Sequence, residues 1–252
     1  MSQKLRHEQI LQILQKQGFV TVRYLVDALQ YSSATINRDL NSLQEKKLVK
    51  RSYGGVEAVK LGHLPPLLQR EFYHKWEKRR IAEVATALIN EGETVFLNGG
   101  TTVQYMVPFL LKRKNIKVLT NSLRVAMELG DSDLEVVCLG GRIVERPYVL
   151  GGDETVELAM SYRPDKMFFS VGEVSPDGMI GGEAFLYRVL LKNSAAAWLL
   201  TDRTKLSDSF RTVLCDFSAL TGVISDFTFS PEVQRRYANV QFVTVEPQDG
   251  EK

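Results

Sequence analysis

The chain has 252 residues, 44% of them hydrophobic and 25% charged, with a formal net charge of +2, which gives room for one large core and one small one. Its N-terminal stretch scatters charges among apolar positions, unlike a secretory signal, and no window approaches a membrane span, so a cytoplasmic protein with no membrane partner is expected. Cys138 and Cys215 lie outside any CxxC pair, and His7, His63 and His74 have no partner at ligand spacing; a disulfide framework, a metal site and a cofactor are therefore not expected. The charge is split along the chain: residues 1–80 hold 15 Lys and Arg against 7 Asp and Glu, the other 172 hold 17 against 23. A basic head on an acidic body suits a polyanion-binding module joined to something else, and equally a small domain that is basic by chance.

Residues 4–16 place Leu5, Ile10, Leu11, Ile13 and Leu14 near the i, i+3, i+4 spacing of one helix face, and Gly18 ends the run. Thr21 can cap a second short helix that turns Val22, Leu25, Val26 and Leu29 inward. After a turn at Gln30 and Tyr31, Ser32 or Ser33 can cap a third. There Ile36, Leu40 and Leu43 repeat at three and four, which turns Ser33, Ala34, Thr35, Asn37 and Arg38 outward near the N-terminal end. Short and hydrogen-bonding side chains in those turns suit a recognition helix entering the major groove, although an ordinary capped surface helix has the same pattern. Leu48 and Val49, a turn at Gly54-Gly55 and residues 56–59 predict a β-hairpin, flanked by Lys46 and Lys47 and carrying Lys50 and Arg51. A basic hairpin after a helix-turn-helix is a wing, whose lysines and Arg51 are expected to contact phosphates or the minor groove.

The run Ser33-Ala34-Thr35-Ile36-Asn37-Arg38-Asp39-Leu40, followed by Leu43, Lys50-Arg51 and Gly54-Gly55, resembles the head of DeoR-type repressors. That family usually shows Thr-Ile-Arg-Arg-Asp-Leu, and here Asn37 stands in the first arginine position. Asn can pair with adenine or a phosphate but cannot form the arginine fork to guanine, so a different operator sequence is expected. The resemblance implies that Ser33, Thr35, Asn37 and Arg38 read double-stranded operator DNA, supported by Lys50, Arg51 and Tyr53; Asp39, an acidic residue in a helix beside DNA, is expected to be structural and to orient Arg38 rather than touch phosphate. The winged helix-turn-helix domain is expected over 1–59, with the helix-turn-helix itself at about 20–39. A linker over 60–76 contains Pro65-Pro66. Its Phe72, Tyr73 and Trp76 suit packing between domains or subunits, or stacking on a single-stranded nucleic acid.

From residue 81 apolar runs alternate with helical patterns: strands at 94–98, 116–120, 134–139, 166–171, 196–201, 222–225 and 240–245, and helices at 102–112, 122–129, 153–161, 183–193 and 231–237. This predicts an α/β domain over 77–252 with a parallel sheet. Ligands in such sheets gather at the C-terminal ends of strands. Three turns there carry candidate anion-binding groups: Asn98-Gly99-Gly100-Thr101-Thr102, Thr120-Asn121-Ser122 and Gly140-Gly141-Arg142. Each also reads as a plain structural turn.

The FLNGGTT, VLTNS and LGG segments, followed by Leu200-Thr201-Asp202-Arg203-Thr204-Lys205, resemble the sensor domain of the same family. The resemblance implies a fold similar to ribose 5-phosphate isomerase, a sugar-phosphate effector, and ligand contact by Asp202 and Lys205. The usual loop reads Asp-Ser-Gly-Thr-Thr; Asn98 and Gly99 replace its first two residues, which removes a carboxylate from the sugar hydroxyls. A glycine-rich stretch, Asp177-Gly178-Met179-Ile180-Gly181-Gly182-Glu183, brings Glu183 to the expected pocket. Two functions remain open. One is a ligand-responsive repressor of a carbohydrate-metabolism operon, acting as a homo-oligomer, dimer or tetramer, on symmetric DNA and relieved by a small phosphorylated sugar. The other is a sugar-phosphate isomerase-like enzyme tethered to DNA, with Asp202, Glu183 and Lys205 moving protons. An activator or adaptor would use the same head.

Overall fold

The computed structural model describes residues 3–246 apart from 18, 47, 53–54, 59–69, 71–72, 146–147, 183–184 and 208–211. Tyr53, Glu183, Gly54, Phe72, His63 and the two prolines of the expected linker lie outside the described residues. The chain divides into two compact units, Met1–Tyr73 and His74–Lys252.

In the first unit α1 (Gln3–Gln17), α2 (Val22–Leu29) and α3 (Ser33–Glu45) precede an antiparallel ribbon of β2 (Val49–Ser52) and β3 (Gly55–Ala58). Local chemistry sets the helix starts: Thr21 accepts from the Tyr24 amide, and Ser32 accepts from the Thr35 amide. Gln30 takes a left-handed φ of 57° and ends α2. Ile10, Leu11 and Leu14 of α1, Leu25 of α2, and Ile36, Leu40 and Leu43 of α3 close over Val49 and Val56 in one core. A short strand absent from the sequence reading, β1 (Phe19–Val20), pairs with β3 and completes a three-stranded sheet ordered β1-β3-β2. Its approach needs glycine at 55, where a Cβ would lie 2.5 Å from the Val20 carbonyl oxygen.

The second unit opens with α4 (Lys75–Ala87), which begins inside the expected linker, and is built on a seven-stranded sheet. Its order is β14 (Gln241–Thr244), β13 (Gly222–Ser225), β11 (Ala196–Thr201), β9 (Lys166–Phe169), β4 (Thr94–Leu97), β5 (Lys117–Thr120) and β6 (Glu135–Cys138). Every neighbouring pair is parallel. Strands buried on both faces give near-continuous apolar runs. Phe96, Met167, Leu199 and Val223 point into one core, which takes in residues of α8 (Asp153–Met160), α9 (Phe185–Asn193) and α10 (Pro231–Arg236). Val95, Leu97, Phe168, Leu200 and Ile224 point into the other, with α4, α5 (Thr101–Gln104), α6 (Val107–Leu110) and α7 (Leu123–Leu129).

The helix expected over 102–112 is two short helices, α5 and α6, separated by Tyr105 and Met106. Two small antiparallel pairs went unforeseen: β7 (Arg142–Glu145) with β8 (Val149–Gly151), and β10 (Met179–Gly181) with β12 (Val213–Asp216). All four side chains of β7 are exposed, so it has none of the alternation that marks a strand.

Candidate functional site

The sheet order reverses between β4 and β9, since β4 leads outward to β5 and β6 while β9 leads the other way to β11, β13 and β14. In a parallel sheet such a switch point opens a crevice outside the strands' C-terminal ends. The turns after β4, β5, β6 and β11 all lie along that edge, which gathers Asn98, Gly99, Gly100, Thr101, Thr102, Asn121, Ser122, Gly140, Gly141, Asp202 and Lys205.

Hydrogen bonding divides this set. Asn98 is 1% exposed; its amide donates to the Ser170 carbonyl (2.8 Å) and the Tyr187 hydroxyl (2.9 Å), and its oxygen accepts from the Ser170 and Gly100 amides (3.1 Å each). All its capacity is spent bridging β4 to β9, which corrects the expectation that this side chain faces the effector. Ser122 caps α7 by accepting from the Val125 amide. Gly99 and Gly100 lie where a Cβ would come within 2.5 Å of Val149 and 2.9 Å of Ser170. Gly141, at φ +122°, would set one 2.1 Å from Thr155 Oγ1, and that hydroxyl donates to the Gly140 carbonyl. At Gly140 a Cβ would meet nothing within 4 Å. Arg142 is exposed on β7.

Four polar atoms at this edge are buried with no hydrogen-bond partner among the described residues: Thr102 Oγ1, Thr201 Oγ1, Asn121 Oδ1 and Asp202 Oδ2. Asp202 is fully buried; its other oxygen accepts from the Thr204 amide (3.0 Å) and the Thr204 hydroxyl. Burial pushes its carboxyl pKa up, but Lys205, then Lys78 and the Thr204 bond outweigh that and hold it below the usual range. Lys205 and Lys78 are themselves buried, at 4% and 1% exposure. Lys78, on α4, is a site residue the sequence reading missed. It lies three, four and seven positions before Ile81, Ala82 and Ala85, all buried, so the helical period alone turns it inward.

Beside this cluster, His74, Glu77 and Asp226 bring ligand atoms within 4.8 Å of one another, although sequence spacing gave His74 no partner. Arg203 occupies Asp226, donating from Nε (2.9 Å) and its backbone amide (2.8 Å), so a protein cation already neutralises that carboxylate. His74 Nδ1 lies 3.6 Å from Glu77 Oε1, beyond hydrogen-bond distance, and its proximity holds the Glu77 carboxyl below its ordinary range against the opposing effect of burial.

In the first unit the outward face of α3 carries Ser33, Thr35, Asn37 and Arg38, with Ser33 and Arg38 exposed. Asp39 turns the other way. It is fully buried and accepts from Arg6 Nε (2.7 Å) and Nη2 (3.2 Å), with His7 Nε2 at 3.2 Å. Its partners therefore lie on α1; it is structural, as expected, but does not orient Arg38. Lys50 is exposed on β2, whereas Arg51 reaches α3, with Nη1 on Asn41 Oδ1 (2.8 Å) and Nη2 on Asn37 Oδ1 (2.6 Å).

Comparison with known proteins matches both units. Residues 6–61 fit the DeoR-like helix-turn-helix domain, and residues 73–227 fit the DeoR C-terminal sensor domain. Among curated proteins, the HTH-type transcriptional repressor CsqR of Escherichia coli is 27% identical over 97% of this chain and 95% of its own length. The glycerol-3-phosphate regulon repressor of Escherichia coli is 28% identical over 92% of each, and the lactose phosphotransferase system repressor of Staphylococcus aureus 26% over 93% and 96%. A solved D-ribose-5-phosphate isomerase aligns with a TM-score of 0.40 at 16% identity, over 53% of this chain and 55% of that one. With a DeoR-like helix-turn-helix at its head and a DeoR sensor domain over most of the remainder, the chain belongs to the DeoR family of transcriptional regulators.

Proposed function

We propose that this protein represses a carbohydrate-metabolism operon and is released from operator DNA by a phosphorylated sugar held at the C-terminal edge of the seven-stranded sheet. The observation that carries the effector class is a set of buried polar groups with no hydrogen-bond partner among the described residues, on an edge that also buries the ammonium groups of Lys78 and Lys205. A buried polar atom left unsatisfied is costly, and a ligand that bonds to it relieves that cost. Unpartnered hydroxyls on Thr102 and Thr201, the Asn121 carbonyl and the second oxygen of Asp202 supply donors and acceptors for a phosphate and for sugar hydroxyls. The names of two relatives, repressors of a glycerol-3-phosphate regulon and of a lactose phosphotransferase system, agree with that class.

In this reading Ser33, Thr35, Asn37 and Arg38 meet the operator, with Lys50, Arg51 and Tyr53 beside them. Thr101, Thr102, Asn121, Asp202 and Lys205 meet the effector, Gly99, Gly100, Gly140 and Gly141 shape the loops, and Arg142 and Glu183 lie at the margin. A dimer or tetramer in the cytoplasm would match the symmetry of paired half-sites. Nothing in the described site favours an isomerase: against the effect of burial, Lys205 and Lys78 hold the Asp202 carboxyl below its usual range, which suits hydroxyl binding, and the relatives named above are regulators. No described helix is long and apolar enough to cross a membrane.

The test is a thermal-shift panel of sugar phosphates against their unphosphorylated sugars, run on the wild type and on Thr101→Val with Thr102→Val. Stabilisation by phosphorylated compounds only, lost in the double variant while DNA binding persists, is the expected result. Preference for free sugars, or an undiminished shift in the variant, overturns the effector assignment. Catalytic turnover of any sugar phosphate would revive the enzyme reading.

A further inference from the structure

We infer that Arg51, carried by the wing, is a base-reading side chain of the operator complex, and that Asn37 and Asn41 on the recognition helix are positioning residues that aim it. This rests on the DNA-binding reading above and goes beyond it by reassigning two roles.

The argument begins with strand alternation. Side chains at i and i+2 of a strand share a face. In β2, Val49 is 2% exposed and packs in the core of the unit, so Arg51 shares its inward side, whereas Lys50 points outward and is exposed. Arg51 is therefore the β2 cation directed at α3.

On α3, Ser33, Asn37 and Asn41 follow one another at intervals of four and form a polar stripe along the outer face. Asn37 and Asn41 each give an amide oxygen to a different terminal nitrogen of the Arg51 guanidinium, at 2.6 and 2.8 Å. Asn37 is in turn anchored through its Nδ2, which donates to the Ser33 carbonyl (2.9 Å) and lies 3.3 Å from the Ser33 hydroxyl.

Both ends of the Asn37 amide are thus committed. Reading adenine takes the oxygen and the nitrogen together, so Asn37 would have to break its bond to Arg51 and its bonds to Ser33. The guanidinium is in the opposite position. It carries five N–H donors, and two bonds inside the protein do not exhaust it. A planar fork held by two amides one helical turn apart has already lost much of its rotamer freedom, so less is lost on binding. It lies against the same stripe a recognition helix presents to the major groove, where guanine O6 and N7 are the commonest specific partners of arginine. The wing thereby supplies an arginine that residue 37 does not.

The test uses the full-length protein and a pool of random-sequence duplexes, comparing the motifs enriched by the wild type, Arg51→Lys, Asn37→Ala, Asn41→Ala and the double variant Arg51→Lys with Asn37→Ala. The wild type is expected to enrich a motif with a preferred guanine in each half-site. Arg51→Lys should lower that preference roughly tenfold or more at that position alone while leaving the salt slope unchanged, because the charge remains and the fork is gone. Asn37→Ala and Asn41→Ala should weaken the same position, and the double variant should do no worse there than Arg51→Lys. An unchanged motif for Arg51→Lys overturns the inference alone, since a phosphate contact tolerates lysine. Loss of an adenine in Asn37→Ala, at a position Arg51→Lys leaves intact, also overturns it. Failure of the wild type to enrich any motif overturns the DNA-binding reading as well.

Discussion

Replacing Asp39 with alanine tests whether the first unit is held together by the carboxylate under its recognition helix. Asp39 is fully buried and joins α3 to Arg6 and His7 of α1, 33 and 32 residues away in sequence. Removing one partner of a buried ion pair costs roughly 3–5 kcal/mol, and the lower end, about 3 kcal/mol, applies because Arg6 keeps some contact with water and can rehydrate. A unit of this size is stable by only about 5 kcal/mol, so the variant should keep less than half of that. Differential scanning calorimetry should show the transition of the first unit shifted down, with that of the second unmoved, and operator affinity falling in step with the folded fraction. Asp39→Asn, which keeps an acceptor, should lose about 1 kcal/mol.

The same network sets a pH dependence. Burial lowers the His7 pKa below its ordinary value, with Asp39 opposing and Lys46 adding to the shift. For Asp39 burial raises the carboxyl, but Arg6 and His7 outweigh it and leave it below the usual range. Both folded values are depressed, so both groups contribute stability that is present at high pH and lost as pH falls. The His7 contribution begins to fade below about pH 6.5 and that of Asp39 only below about pH 4. An Asp39→Ala protein whose first transition moves by less than about 1 kcal/mol, or a wild type equally stable at pH 7 and pH 5, would refute this reasoning.

Three further outcomes are expected. Lys78→Met should reduce the melting shift given by sugar phosphates, with affinity falling about tenfold or more by titration calorimetry, because a charge-assisted contact is removed; an undiminished response would take Lys78 out of the pocket. Gly141→Ala forces a Cβ within 2.1 Å of Thr155 Oγ1 at a φ of +122°. It should cost about 2 kcal/mol and lower the melting temperature of the second unit by roughly 4–8 °C. Burial, with Asp216 adding to it, pushes the Cys215 thiol up to about 11. At pH 8 roughly one molecule in a thousand then carries the thiolate, so alkylation by iodoacetamide followed by mass spectrometry should find Cys215 much slower than a free thiol.

What the sequence made legible was local or periodic. Thr21 and Ser32 cap their helices with bonds to amides three residues on, well within the range a linear reading covers. The strands of the parallel sheet are continuous apolar runs, and their ends located the candidate edge. Partners brought from a distance stayed hidden: Asp39 was assigned to its neighbour Arg38 because Arg6 is 33 positions away. Asn98 looked like a ligand residue until Ser170 and Tyr187, 72 and 89 positions on, used up its amide. Lys78 was missed for another reason: it stands in a basic run, although the period of the surrounding apolar residues distinguishes it from Arg79, as the alternation of β2 distinguishes Arg51 from Lys50.

The division of labour at the sheet edge bears on how such a sensor changes over time. The strands and the bridging Asn98 are tied to two cores, whereas the polar groups proposed to face the effector sit on separate crossover turns. In the proposed site a substitution at Thr102, Asn121 or Lys205 would alter one wall of the pocket and leave the other turns where they were. A descendant could therefore exchange one metabolite for another through a few independent steps, each tolerated by the scaffold, while its answer to that metabolite is still delivered through the same sheet.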